Sequence, residues 1–161
     1  MDQTEDSLIT FLSSDLREVK VDLPSAFLSK FAKNYHEDFP GETIHFKDID
    51  YETLSKVKEF LVYHKDKKPK KIPKPLPNKD FSEIVDKWDY DYINIDSTQI
   101  FKLMEAANFM DIRPLLNLTC AKISSLIKGK SPSEIRRVLK MEDDIDESDD
   151  KEEEKEIKMN F

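Results

Sequence analysis

The sequence predicts an α+β protein in which a small three-stranded sheet and its helices are followed by a helical extension. Short segments in the first 46 residues alternate polar and apolar side chains, which is typical of strands with one buried face. Other segments place apolar residues three and four positions apart, which indicates helices. A Pro/Lys-rich stretch at residues 65–79 separates the part that contains the strands from a part that is helical throughout.

The first two strands are predicted to form a hairpin. Residues 8–12 alternate along the first strand, residues 13–15 supply a polar turn, and residues 18–22 alternate along the second. After a loop that contains Pro40 and Gly41, residues 43–46 alternate again and predict a third short strand.

Two helices are predicted before residue 65. Pro24 suits the first turn of a helix, where its missing N–H would have no partner, and residues 27–32 continue with helical spacing. Asp50 is placed to cap the next helix. The apolar residues that form one stripe of that helix are Leu54, Val57, Phe60, Leu61 and Tyr63.

The stretch 65–79 is predicted to be an extended, solvated linker. Its prolines alternate with lysines and prevent a regular helix. The positive charge could contact nucleic acid, but no aromatic side chains are interleaved with it, so a solvated loop is the preferred interpretation.

Three further helices are predicted beyond the linker. Asp96 with Gln99 forms a capping box before the first of them, and its apolar stripe comprises Ile100, Leu103, Ala107 and Met110. The second begins near Ile112 and ends at about Ile127. Residues 131–134 then supply an N-cap, a proline and a capping glutamate for the third.

Composition narrows the class of protein. The net charge of -8 argues against nonspecific attraction to nucleic acid or anionic membranes. The single cysteine, Cys120, excludes an intramolecular disulfide and fits a reducing compartment. The acidic N-terminus has no features of a secretory signal, and no apolar run approaches the roughly 20 residues that span a bilayer. We expect a soluble protein of the cytoplasm and nucleus.

Catalytic equipment is not expected. Two glycines are too few for a Gly-rich phosphate loop, and the three histidines are scattered without zinc-ligand spacing. Cys120 lies in mid-helix on an apolar face, which favours a core or interface position over a nucleophile. We therefore expect no enzyme, no metal and no cofactor.

The helix at 112–127 has more apolar surface than one neighbour requires. Leu115, Leu118 and Leu126 lie off its main stripe, so the helix is either sandwiched in a core or faces another protein. The short extension offers little to cover a second face, which favours a partner. The main stripe comprises Ile112, Leu116, Cys120, Ile123 and Ile127.

Several runs resemble the S-phase kinase-associated protein 1 family, the F-box-binding adaptors of cullin–RING ubiquitin ligases. The resemblance extends over roughly residues 7–140, and its most specific run is Ile-Lys-Gly-Lys-Ser-Pro-Ser-Glu-Ile-Arg at 127–136. It implies a BTB/POZ-type fold at 1–111, an F-box-binding helical extension at 112–140 and an acidic tail at 141–161, for which we predict disorder. Elongin C shares the fold but typically ends before this run.

The resemblance also implies the partners. Asn108 and Phe109 match the family's cullin-contacting Asn-aromatic pair, with Phe where Tyr is more usual. The F-box would contact apolar residues of the last helices, each of which could instead be packed in the core. These residues are Leu116, Cys120, Ile123, Ile127, Ile135 and Val138. The RING protein and the E2 enzyme would be indirect partners.

Two alternatives stay open. The same F-box-binding surface could serve an assembly without ligase activity, such as a kinetochore or trafficking complex, and the free chain could form a weak homodimer.

One departure from the family concerns its C-terminal helix, which usually carries a Trp, whereas this chain ends Ile157-Lys-Met-Asn-Phe161. In the family this helix closes over the F-box, and Ile157 or Phe161 could replace the Trp as its apolar anchor.

Overall fold

A computed structural model describes residues 8–77 and 79–139, and the predicted acidic tail lies outside these residues. The described chain contains a mixed sheet of three strands, β1 (Leu8–Leu12), β2 (Glu18–Asp22) and β3 (Ile44–His45). β1 is central, antiparallel to β2 and parallel to β3. The α+β class and the three-stranded sheet are confirmed, and the third strand is two residues shorter than predicted.

The sheet turns one face to the core, as the alternation predicts. Ile9 lies opposite Val21 and Phe11 lies opposite Val19 in the β1–β2 register, and all four side chains are buried. Cross-strand pairs of this kind stabilise a sheet by side-chain packing as well as by backbone hydrogen bonds.

Eight helices follow or interrupt the strands within the described residues. They are α1 (Leu23–Ala26), α2 (Lys30–Asp38), α3 (Tyr51–His64), α4 (Phe81–Ile84), α5 (Lys87–Tyr92), α6 (Ser97–Phe109), α7 (Arg113–Ile127) and α8 (Pro132–Val138). The predicted N-caps are confirmed at Asp50, which accepts a hydrogen bond from the Thr53 N–H, and at Ser131, which accepts one from the Glu134 N–H. Asp96 precedes α6 as predicted, but its side chain makes no capping hydrogen bond.

The helix predicted to run from Pro24 through Ala32 is in fact two helices. Ser29 begins α2, because its hydroxyl oxygen accepts the Ala32 N–H at 3.1 Å and its hydroxyl proton is donated to the Met110 carbonyl at 2.5 Å. The break is therefore fixed by a contact 81 residues away, which helical spacing cannot reveal.

The core lies between the sheet and the pair α3 and α6. Leu54, Val57, Phe60 and Leu61 of α3 are buried as predicted, whereas Tyr63 is half-buried and stacks on the Trp88 ring at 3.9 Å. The predicted α6 stripe is buried in the same core, and it comprises Ile100, Leu103, Ala107 and Met110.

The described residues of the segment 65–79 have no regular secondary structure, as predicted, but the segment is not wholly solvated. Ile72 and Leu76 are partly buried against the core. Lys74 Nζ donates to the Asn117 side chain at 3.3 Å, and Lys128 Nζ donates to the Leu76 carbonyl at 3.4 Å. The prediction of a solvated linker was wrong in part, because Ile72 and Leu76 pack against the core and the Lys74 side chain bonds to Asn117 of α7.

Candidate partner-binding surfaces

Helix α7 has a buried side and an outer side. Leu115, Leu118 and Ala121 are 0, 2 and 8% exposed and join the main core, and Thr119 donates its hydroxyl proton back to the Leu115 carbonyl at 3.1 Å. Leu115 and Leu118, two of the three residues predicted to lie off the main stripe, thus anchor the helix, whereas the third, Leu126, is half-buried.

The outer side of α7 carries an apolar stripe that the described chain leaves partly uncovered. Leu116, Ile123 and Ile127 are half-buried and Cys120 is exposed. Their spacing of three or four residues places all four on one face, and we call them the α7 stripe. Ile112 was predicted to share that face but is fully buried, because it lies at the start of the helix under the core.

The exposure of Cys120 decides between its two predicted positions. A core position is ruled out, since the thiol-bearing side chain faces outward in mid-helix. The remaining prediction for Cys120 is an interface position beside Leu116 and Ile123.

Helix α8 contributes less exposed apolar surface than predicted. Val138 is half-buried, whereas Ile135 is only 9% exposed. Ile135 therefore packs within the free chain, which is the core alternative for this residue, and only Val138 of the two extends the apolar surface.

Asn108 and Phe109 form a second surface at the end of α6. Both side chains are exposed, and Phe109 is 57% exposed despite its size. The Phe109 ring is held from beneath by aromatic neighbours, with ring centroids 5.0 Å from Phe31 and 6.1 Å from Phe46. Contacts of this kind fix the ring direction while one face stays open.

The position of Phe31 under Phe109 follows from how α2 begins. The Phe31 N–H donates to the Met110 carbonyl and the Lys30 N–H donates to the Asp111 carbonyl, each at 3.3 Å. The first N–H groups of α2 are thus satisfied by the turn between α6 and α7 instead of by water. Asp111 in that turn has a positive φ of 51°, which few residues other than glycine adopt.

A groove of about 520 Å³ lies beside Phe109, between the β3–α3 connection and α6. Its lining combines apolar Phe46 and Ala106 with charged Asp50, Lys102 and Glu105. A partner would therefore meet an exposed aromatic ring bordered by groups of both charges.

The carboxylate of Asp50 is held ionised at the edge of this groove. The pKa of Asp50 is lowered by the Thr53 hydroxyl, against the effect of partial burial, and by the Thr53 N–H and Lys102. Lys102 Nζ lies 3.2 Å from the carboxylate.

Sequence reasoning missed the residues that orient Phe109. Phe31 was recognised only as one residue of a helical pattern, and Phe46 only as part of a strand. Their approach to Phe109 depends on the tertiary contact of α2 with the α6–α7 turn, for which the sequence has no local signal.

Other classes of site find no support in residues 8–77 and 79–139. No group of His, Cys, Asp and Glu side chains there is arranged to hold a metal ion. Within the same residues no helix has both the length and the apolar character needed to cross a membrane.

Comparison with known proteins gives a consistent result. Residues 113–160 match the profile of the Skp1 family, dimerisation domain, which includes α7 and α8. The chain is 37% identical over 139 residues to an S-phase kinase-associated protein 1 homolog of Tetrahymena thermophila, covering 85% of this chain and 84% of the relative. It is 33% identical over 147 residues to the E3 ubiquitin ligase complex SCF subunit sconC of Arthroderma otae, covering 90% and 89%. A similar protein of the same description from Aspergillus flavus is 32% identical over 139 residues, covering 85% and 86%.

Proposed function

This chain belongs to the Skp1 family, and from that premise we propose that it is the adaptor of an SCF-type E3 ubiquitin ligase. In this role it joins F-box substrate receptors to the cullin scaffold for ubiquitin-dependent degradation. The observation that carries the proposal is the α7 stripe, an apolar face left open on a helix whose other side is already anchored in the core.

The α7 stripe and Val138 would form the F-box-binding surface. Complete burial of a large aliphatic side chain contributes about 1.5–3 kcal/mol. Leu116, Ile123 and Ile127 are already half-buried, so each would add only part of that amount. Several such increments are needed to exceed the cost of association, which favours a partner that covers the whole stripe at once.

Asn108 and Phe109 would form the cullin-binding surface. The exposed Phe109 ring offers an apolar contact, and the neighbouring Asn108 amide offers both donors and an acceptor. The Phe at this position retains the ring contact of the family's usual Tyr without its hydroxyl, so hydrogen bonding here would depend on Asn108.

The chain contributes position and no bond-making chemistry. The α6–α7 turn is tied to the start of α2 by three hydrogen bonds, so the two binding surfaces are connected through a well-packed turn. A substrate receptor on α7 and a cullin at Phe109 would then be held in a fixed relation. Transfer of ubiquitin would be carried out by the RING protein and the E2 enzyme, to which the adaptor brings the substrate.

A reconstitution with purified partners tests the bridging role. An F-box domain and a cullin N-terminal domain are expected to coelute in size-exclusion chromatography only when the full chain is present. Cys120→Glu should abolish the F-box contact and keep the cullin contact, and Asn108→Lys with Phe109→Ala should do the reverse.

Val62→Asp is the matched control for the acidic substitution. Val62 is a 41% exposed apolar residue of α3 outside both surfaces, so this variant should bridge like the wild type. Bridging by the Cys120→Glu variant at the wild-type level would contradict the assignment of the α7 stripe.

Self-association through the α7 stripe is a second candidate function, favoured by the description of the matching family profile as a dimerisation domain. A partly uncovered apolar stripe on α7 could pair with a second copy when no F-box is bound. Light scattering over a dilution series should then show a dimer that dissociates when F-box domain is added. A monomer at every concentration would rule this use out.

A further inference from the structure

Two segments of strongly opposite charge are not used by the proposed adaptor role. The basic segment, residues 65–79, has seven lysines and one aspartate. The acidic segment, residues 142–156, has eleven acidic residues and two lysines. Their net charges of +6 and -9 stand out in a chain whose total is -8.

The basic segment lies beside the α7 stripe. A groove of about 290 Å³ separates Ile72 and Leu76 from Asn117, Cys120 and Ser124. Cys120 belongs both to this groove and to the α7 stripe, so an occupant of the groove would border the proposed F-box surface. Lys128 holds the far end of the basic segment against the C-terminal part of α7.

The lysines of the basic segment are available to an anionic partner. Lys68, Lys70 and Lys71 are exposed, and none of the hydrogen bonds or ion pairs found in the described chain involves their ammonium groups. Like charges placed so close together repel one another, and an anionic occupant would relieve that repulsion.

The described part of the chain that leads to the acidic segment ends at Leu139, directly after α8. Helix α8 packs against α7, and its seven residues span only about 10 Å. The 22 residues that follow Leu139 could extend over as much as roughly 70 Å, so their length does not limit contact with the basic segment. Because both segments belong to one chain, contact between them is intramolecular, and a short flexible connection that can span two sites gives an effective concentration on the order of millimolar.

We propose that the acidic segment docks on the basic segment of the same chain and covers the groove at Cys120 in the free protein. The contact is electrostatic and partly exposed, so it weakens as salt shortens the range of charge interactions. It shields one edge of the α7 stripe until a partner replaces it. The proposal does not depend on which partner binds α7, and it stands or falls separately from the ligase role.

The native cysteine provides the test. A nitroxide spin label attached to Cys120 of the full chain, the only cysteine present, reports which amides approach the groove. At about 0.1 M salt, where the Debye length is roughly 10 Å, we expect loss of amide NMR signals for residues 142–156. At about 1 M salt, where it is roughly 3 Å, the signals should return.

Charge reversal separates docking from chance proximity. The variant Lys68→Glu/Lys70→Glu/Lys71→Glu should keep its tail signals at both salt concentrations. The matched control Lys20→Glu/Lys33→Glu/Lys47→Glu makes the same change of net charge at exposed positions outside the basic segment, and it should lose the signals as the wild type does.

Two outcomes would overturn the proposal. The first is equal signal loss in the wild type and in the basic-segment variant. The second is signal loss that arises only between molecules, when spin-labelled unenriched chain is mixed with unlabelled ¹⁵N chain, which would assign the acidic segment to a second copy. A label-free measurement guards against disturbance by the nitroxide. Salt should shift the amides of the basic segment less in Glu152→Gln/Glu153→Gln/Glu154→Gln than in the wild type, because the variant lowers the net charge of the acidic segment from -9 to -6.

Discussion

At the scale of single residues, Asp50 combines a structural and a surface role. Its carboxylate accepts the Thr53 N–H at 2.8 Å at the start of α3 and pairs with Lys102 at the edge of the Phe109 groove. The lowered pKa means that the ionised form of the Asp50 carboxyl is more stable in the folded protein than in the unfolded chain. Its contribution to stability is therefore present above the ordinary Asp pKa and is lost as the pH falls through the lowered value.

Asp50→Ala is expected to reduce the free energy of unfolding by about 1 kcal/mol at neutral pH, because an N-cap is lost. The difference from the wild type should begin to shrink as the pH falls below the ordinary Asp pKa of about 4, and it should be lost as the pH passes through the lowered pKa of the folded protein, where the wild-type carboxylate becomes protonated. Urea unfolding at several pH values measures this. Asp50→Asn keeps a cap without the charge, so it should retain most of the stability at neutral pH; a loss equal to that of Asp50→Ala would contradict capping as the cause.

A buried polar pair ties the end of α3 to α5. The Nε2 atom of His64 lies 2.7 Å from the Asp89 carboxylate, and Nδ1 lies 2.6 Å from the Lys67 carbonyl oxygen. Both side chains are almost fully buried, and the Trp88 ring meets the His64 ring edge-on at 5.4 Å. The imidazole is thus held at both nitrogens where the basic segment begins.

Asp89→Ala should lower the free energy of unfolding by about 3 kcal/mol, because it leaves the buried imidazole without one partner. Asp89→Asn, which keeps an acceptor oxygen, should cost less. Chemical denaturation of these variants can be compared with Asp91→Ala, an exposed carboxylate on the same helix that should change stability by less than about 0.5 kcal/mol. Equal costs for Asp89→Ala and Asp91→Ala would contradict the structural role of the pair.

At the scale of elements, α7 shows what periodicity can and cannot establish. The spacing of its apolar residues predicted two faces, and both are present. The choice of which face is buried depends on how α7 packs against α6, since Leu115 and Leu118 join the core while Leu116 and Ile123 remain partly outside. The local sequence determines that this segment is a helix, and tertiary packing determines which of its faces is buried.

Leu118→Ala and Cys120→Ala should therefore differ in their effects on stability. Leu118 is 2% exposed, so its truncation should cost about 2–5 kcal/mol by loss of apolar burial and formation of a cavity. Cys120 is exposed, and its truncation should change stability by less than about 0.5 kcal/mol. Thermal and urea unfolding measure both, and a large cost at Cys120 would mean that the α7 stripe is a core face.

The remaining misjudged elements have a shared cause. The break between α1 and α2 depends on the bond from Ser29 to the Met110 carbonyl, and the partial burial of the basic segment depends on Ile72 and Leu76 reaching the core. Neither feature has a local sequence pattern. By contrast, the strands, the Asp50 and Ser131 caps and the α6 stripe could be predicted because local alternation, capping and spacing determine them.

At the scale of the whole molecule, the two candidate surfaces lie on either side of one packed junction. Phe109 ends α6, Arg113 begins α7, and the turn between them is tied to α2 through Ser29, Lys30 and Phe31. The sequence predicted the residues of both surfaces through family resemblance. The rigid support between them became apparent only from the structure.

Calorimetric titration of the full chain with an F-box domain tests the central claim most directly. A predominantly apolar interface predicts 1:1 binding with a negative heat-capacity change and weak dependence on salt above the concentration that releases the acidic segment. Cys120→Glu should remove binding and Val62→Asp should not. Absence of binding by the folded wild-type chain, or unchanged binding by Cys120→Glu, would contradict the account of α7 as the receptor-binding helix.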